Sequence, residues 1–506
     1  MKKRILIIAI VTALLLSACT MGKKTGSGNA NKDLKDDIAS EEAVKLTKEE
    51  YKQLREKLCN GEEADLPKMF DLRDYNLVTP VKNQGQYGIC WAYAAISAME
   101  SNALIMGFGE YDLSEYHIGY LAYNDPNGGF SSQGASDGWL GVGGFNEYSI
   151  APFMRGYAPA SENKYPSDDV QRKLSADAIN DNVLNGDSSY FVQASKKDEI
   201  KRFIIEYGAV TACVDAGSWY MDESGNRTDI RMSPYFNFDT NAVYSSMTSV
   251  DHMVTVIGWD DNYSEDNFKI KPDGPGAWIC KNSWGNGFGD CGYFYLSYYD
   301  GVVNPGKEWC VYITAPKDSY DYQYQYDGGY GAYEIERTTG VAMAFTAVED
   351  QTLTGLKIYP KTNINHKFNE AKATVEIYRN VESMKNLETA EKLYSAQTLL
   401  KYAGYQTIEL NEGVNVNKDD VIYVVVTFDN ELTYRLDAST GIATKDDNDA
   451  KLNFKLVSLA NPGETFIKVG DNDWEDCVVK RPDSSLCMKV MACTGHDREV
   501  YHRFKK

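Results

Sequence analysis

Histidine is scarce in this chain, with five among 506 residues. No CxxC pair occurs either, so a structural zinc site of the usual Cys/His spacing has no ligands to draw on, and no cofactor is expected. Basic charge is short as well: 52 Lys and Arg stand against 73 Asp and Glu, for a formal net charge of −21. Without a basic footprint the chain has little to neutralise phosphates, which argues against a nucleic-acid partner. An acid excess favours solubility but names no function. Beyond residue 16 no apolar run is long enough to cross a bilayer. What is present, 43% apolar and 25% charged residues over this length, reads as two or more globular domains.

The N-terminus carries more information. Met1-Lys2-Lys3-Arg4 is a basic head, and Ile5 to Leu16 is apolar except for Thr12. That length fits the core of a secretory signal rather than a membrane span. It ends in Leu16-Ser17-Ala18-Cys19, which resembles the bacterial lipobox. The resemblance implies cleavage after residue 18 and a lipid on Cys19, holding the protein outside the cytoplasm at the membrane of a bacterial cell. The rival is a plain secretory signal with a coincidental cysteine. Residues 19–64 then read as a flexible tether with one short charged helix over 40–58, Ser40 as its N-cap and a thin apolar face of Leu46, Tyr51, Leu54 and Leu58.

Two segments follow. Over 65–318, a helix is expected to start at Cys90 and stop near Gly107, and short apolar strands are expected at 250–260, 277–284 and 292–299, the last two joined as a hairpin. Over 319–506, short β runs alternate with polar loops, the signature of an antiparallel sandwich. Helical periodicity there survives only in "ESMKNLETAEKLYSAQ". Tyr320, Tyr322, Tyr324 and Tyr326 alternate and would share one face of a strand, as core packing or as a platform for a ligand. The acidic loops "KDDNDAK" and "GDNDWEDC" fit no calcium-loop spacing, so no metal is assigned.

A cysteine at the head of a helix, after Gly85 and Gly88, has one of the aids that lower a thiol pKa; a second would be an imidazolium. Of the five histidines, His252 opens a tight strand, where a rigid backbone could aim its ring. Asn282 ends another strand and could orient that ring.

"PVKNQGQYGICWAYAAISAME", with "LPKMFDLRD", "LSE", "VGG", "DHMVTVIGW" and "KNSWGNGFGDCGYF" in that order, resembles the papain-like cysteine peptidases over about residues 66 to 316. The resemblance implies an α+β fold, a two-lobed peptidase with a helical lobe and a β-barrel-like lobe. It makes Cys90 the nucleophile, His252 the base and acid, Asn282 its orienting group, Trp284 the shield of that bond, and Gln84 an oxyanion donor. Gly143 and Gly144 would hold the substrate backbone, and Asp251 would tune the site. The substrate would be a polypeptide, cleaved endolytically since no occluding insertion is recognisable.

The sequence also departs from the family. Tyr87 and Gly141 replace its usual disulfide, Ile89 stands where serine is common, and 162 residues separate Cys90 from His252 against the ~130–150 of the family pattern. Such peptidases carry an inhibitory prodomain with a long signature helix, which the helix at 40–58 lacks, so 20–64 is either a reduced inhibitor or a spacer, the spacer being preferred. The region from 319 to 496 resembles the lectin-like domain that follows such peptidases in some anaerobic bacteria, which implies carbohydrate as a partner. The alternative to an enzyme is a silent surface adhesin on a peptidase scaffold; intact Cys90, His252, Asn282 and Gln84 speak against it.

Overall fold

Local signals place the first helix. In the computed structural model, which describes residues 45–124, 131–132, 138–169, 173–362, 367–368, 370–381, 383–438, 441–445, 451–455 and 458–498, α1 spans Lys48–Cys59. Thr47 Oγ1 accepts the Glu50 N–H and the Glu50 carboxylate accepts the Thr47 N–H, a reciprocal capping box. The expected start at Ser40 is therefore corrected: Lys45 and Leu46 are not helical, and the Thr47–Glu50 pair sets the boundary. Tyr51 and Leu58 are buried, and the Tyr51 hydroxyl donates to Ile205 O, which fastens α1 to α5 (Lys197–Tyr207). The signal, Cys19 and most of the tether lie outside the described residues, as do "DDNDA" of the first acidic loop and residues 499–506, the end of the chain expected as a short basic tail. No helix among the described residues is long and apolar enough to cross a membrane.

The central helix α2, Cys90–Ile105, is mostly apolar and buried from Cys90 to Ala103, Glu100, Ser101 and Asn102 included, as befits a helix enclosed by other elements. Gly107 just beyond it takes φ +78°, a left-handed C-terminal stop. Helices α3 (Glu115–Asn124) and α4 (Asn146–Met154) pack around it and complete a helical lobe. On α3, His117 is fully buried, its Nε2–H donating to Ala178 O and its Nδ1 accepting Ala160 N–H.

Against α2 lies an antiparallel sheet in which His252–Asp260 pairs with Val210–Val214 on one side and Ala277–Lys281 on the other, followed by Tyr293–Ser297 in the expected hairpin. The sheet does not stop at the boundary read near residue 318. From Val210–Val214 it continues through Glu308–Pro316 and Leu184–Gln193 into Ala403–Val416, Gln351–Ile358, Met488–Thr494 and Tyr322–Gln325. The join is Ala403↔Phe191, Gly404↔Tyr190 and Tyr405↔Ser189. Gly404 has φ +112°, and a Cβ there would lie 2.0 Å from Ser189 O, so only glycine lets the strands meet. The described residues accordingly form one compact unit.

A second antiparallel sheet, in the order Glu391–Leu400, Ala371–Arg379, Val421–Ala438, Tyr333–Thr346, Thr465–Val469, packs on the far half of the first, and aliphatic side chains of both fill the sandwich. The helical hint at 382–397 is corrected here. Only a 3-10 turn, Met384–Thr389, forms before the strand Glu391–Leu400. Tyr394, Ala396, Thr398 and Leu400 alternate away from solvent, and pairing with Ala371–Arg379 overrides helix propensity.

The tyrosine run mostly packs. Tyr324 stacks on Phe345 at 3.9 Å between ring centres, Tyr326 donates to Ala344 O, and the Lys357 ammonium lies 4.9 Å from the Tyr320 ring. Tyr322 remains 42% exposed.

Candidate active site

The two halves of the first lobe pair, helix and sheet, face each other across a cleft of about 710 Å³. Cys90 enters it as the first residue of α2. Ile89 before it offers no side-chain cap, so the N–H groups of the first turn are not occupied by a capping side chain and the positive end of the helix is left towards the sulfur. Burial pushes the Cys90 thiol up to about 11, while backbone groups of Met253 and Trp91 hydrogen-bond the sulfur and oppose the rise.

His252 lies across the cleft at the start of its strand. Asn282 Oδ1 accepts the Ser283 N–H at 2.8 Å and so is the amide oxygen; His252 Nε2, also at 2.8 Å, must donate to it. That leaves the Nδ1 lone pair for the cleft. The Trp284 indole stacks on the imidazole, centroids 4.7 Å apart and planes 29° apart, and Trp219 crosses its edge at 6.5 Å. Burial lowers the imidazole to about 4, with the Asn282 bond opposing. Asn282 itself sits behind the ring rather than in the cleft wall, and its Nδ2 is buried without a partner among the described residues.

Gln84 lines the cleft beside Cys90. Its Oε1 accepts the Ser283 hydroxyl at 2.6 Å and its Nε2 donates to Tyr87 O at 2.8 Å. One amide hydrogen is used there and the other remains for a ligand. Tyr87 packs half-buried on the helical core, in the place of the family's disulfide. Gly143 and Gly144 form the opposing rim, and their reasons differ from one another. Gly143 has φ +78° with open space around it; a Cβ on Gly144 would come within 2.6 Å of Trp91 Nε1. Within the fold, Gly144 is fixed by the indole beneath it and Gly143 by backbone conformation. Asp251 faces backbone, its two oxygens accepting Ala216 N–H at 2.8 Å and Gly217 N–H at 2.9 Å.

Several cleft groups carry no motif. Phe145, Cys213, Tyr220, Met221 and Arg227 line it, and only tertiary structure brings them there. Under the site Lys82 bridges Glu100, Asp112 and Glu115, and Lys281, buried and lowered to about 8 by desolvation, reaches Thr79 at 3.2 Å. This network anchors the strand that presents Asn282. The apolar run of "AWICK" puts Lys281 at the end of a strand but gives no sign of its partners. Asp327, Asp437 and Cys487 bring ligand atoms within 4.8 Å of one another, yet the Lys489 ammonium lies 2.6 Å from Asp327 Oδ2 and supplies the cation there.

The model of the papain family cysteine proteases matches residues 66–308, and that of the lectin-like domain matches 322–492. The chain carries a papain-family cysteine protease domain followed by a lectin-like domain. Among curated relatives of the protease domain, the probable cysteine protease RD19C of Arabidopsis thaliana is 29% identical over 46% of this chain and 56% of its own length. The oryzain beta chain of Oryza sativa subsp. japonica is 28% identical over 45% and 42%, and human cathepsin L2 29% over 45% and 60%. The chain thus spans about half the length of these relatives. The solved cysteine protease and lectin-like domains of Cwp84, a surface layer associated protein of Clostridium difficile, share the fold of both domains: TM-score 0.66 at 23% identity, over 90% of this chain and 98% of that one.

Proposed function

We propose that the protein is a secreted cysteine endopeptidase, tethered outside the cytoplasm by a lipid on Cys19. Cys90 Sγ gives its proton to His252 Nδ1 and attacks a peptide carbonyl. His252 then protonates the leaving amine and activates the water that hydrolyses the acyl-enzyme. Gln84 Nε2 and the Cys90 N–H stabilise the oxyanion; losing one such donor typically costs ~10²–10³ in rate. The observation that carries this reading is the Nε2–Asn282 bond under Trp284, which leaves Nδ1 as the base on the cleft side. Ionised singly, thiol and imidazole each bear the full burial cost, which is why burial moves them in opposite directions. Ionised together, each charge is the other's partner, and the uncapped end of α2 faces the thiolate. Sugar binding by the lectin-like domain rests on its family name alone.

Limiting iodoacetamide at pH 5 to 6, with peptide mapping, tests the pair. The buried thiols Cys280, Cys310, Cys477, Cys487 and Cys493, and the half-buried Cys213, are all pushed up by burial. Burial raises Cys90 too, and what sets it apart is the His252 imidazole across the cleft, so labelling is expected at Cys90 and is expected to vanish in His252→Ala. An inert Cys90 in the wild type would sink the peptidase reading and leave the binding protein.

A further inference from the structure

Of the side chains lining the cleft, two besides Cys90 and His252 carry a charge: Asp251 and Arg227. The Asp251 carboxylate is occupied by two backbone N–H groups. Arg227 is exposed and makes no ion pair among the described residues. An unpartnered guanidinium in a cleft is out of character for a chain of net charge −21.

Its position is also built. Met221 and Arg227 pair across a small hairpin, closed by the bond from Asp222 N to Asn226 O at 2.8 Å and by Thr228 N to Tyr220 O at 2.7 Å. The nearby acids are committed to the backbone. Asp222 Oδ1 accepts from Ser224 and Asn226, and Asp229 Oδ1 accepts from Arg231, while Glu223 sits at the exposed turn. The hairpin is rooted beside the histidine: buried Trp219 lies 5.7 Å from Trp284, and Tyr220 6.1 Å.

We infer that Arg227 selects substrates with a carboxylate in the leaving half of the peptide. This rests on the peptidase reading, in which His252 must protonate the leaving amine. The leaving half then runs along the wall of His252, Trp284 and the hairpin, and the acyl half lies on the rim of Gly143 and Gly144. A guanidinium there pairs with carboxylate oxygens through parallel N–H donors. The carboxylate is either an Asp or Glu side chain or the chain end.

Quenched fluorescent peptides distinguish these. One set carries Glu or Gln at each of the first three residues after the mapped scissile bond, with an amidated C-terminus; another carries Gln throughout and a free C-terminal acid. At one position kcat/KM for Glu should exceed that for Gln by about two- to fivefold, the size of an exposed charge pair. Added salt should shrink that ratio. In Arg227→Gln the ratio should fall to about one, and in Arg227→Glu a Lys peptide should be preferred over a Glu peptide. An Arg227-dependent advantage confined to the free acid assigns the chain end. No preference in the wild type in either set, or one that survives Arg227→Gln, overturns the inference. Anisotropy binding of the same peptides to Cys90→Ala reads the preference without turnover. Arg227-dependent binding in this variant, together with a wild type that hydrolyses none of the peptides, would sink the peptidase reading and leave the carboxylate site standing.

Discussion

The two walls of the cleft are built by different physics. On the helical wall, position at the cleft is set by shape: Trp91 fills the space under Gly144, and the first turns of α2, Cys90 to Ile96, are buried in the apolar core. On the sheet wall it is set by buried hydrogen bonds, from His252 to Asn282, from Ser283 to Gln84 and from the backbone to Asp251. A wall held by shape fails when volume changes. A wall held by polar bonds fails when a partner or a proton is removed, with little change in volume.

The largest effect is expected on the sheet wall. Asn282→Ala leaves the His252 Nε2–H buried with no acceptor and frees the ring to turn, so kcat/KM should fall by ~10²–10⁴-fold. Far-ultraviolet circular dichroism should stay unchanged. If activity falls less than about tenfold, the ring is held by the Trp284 stack and the polar account of this wall is wrong.

Protonation probes the same contrast in stability. His117 stands in the helical lobe, yet it is held in the polar manner: Nε2 donates to Ala178 O and Nδ1 accepts from Ala160 N–H, which only the neutral ring can do. Burial holds it at about 4, below its ordinary 6.5. A depressed folded value means stability present above pH 6.5 and lost as the pH falls through 4. Shifts of this size are worth ~3 kcal/mol per group. His117→Gln can keep both bonds without titrating. The difference in unfolding free energy between it and the wild type, measured at pH 7 and at pH 4.5, isolates this histidine from other titrating groups. A difference independent of pH would refute the assignment. Gly144→Ala, on the wall held by shape, should cost ~1–3 kcal/mol by overpacking against Trp91, with no pH dependence. Unfolding midpoints across pH 5 to 8 check that.

Different parts of the molecule were legible in the sequence to different depths. The helix start at Cys90, the strand start at His252 and the hairpin of 277–299 could be read because they carry local signals, whereas the roles of Cys90, His252 and Asn282 came from the family resemblance. The start of α1 falls after Thr47 rather than at Ser40 because Thr47 is answered by Glu50 three residues on, whereas Ala43 stands three residues after Ser40. The strand Glu391–Leu400 was masked by helix-favouring Glu, Lys and Ala, and only its partner strand decides it. Gly404 looks like any loop glycine, although it joins the two domains into one sheet, since close approach of Ser189 O is not written in neighbouring residues. Arg227 is silent for the same reason: nothing nearby in sequence says that it faces a cleft.

The smallest effect separates position from presence in the sheet wall. Ser283 gives its hydroxyl to Gln84 Oε1 at 2.6 Å, and its backbone accepts the Gln84 N–H at 2.8 Å. Ser283→Ala removes the first bond and keeps the second, so Gln84 stays in the cleft but its amide loses one of the two contacts that fix its rotation. The loss in stability should be ~1 kcal/mol, that of one buried hydrogen bond. Because the amide still bonds Tyr87 O, acylation should slow several-fold rather than by the ~10²–10³ of a lost oxyanion donor. Gln84→Ala measured beside it supplies the larger value. If the two variants slow acylation equally, the serine hydroxyl is what presents the amide, and the polar wall is as intolerant of a lost contact as the helical wall is of an added methyl.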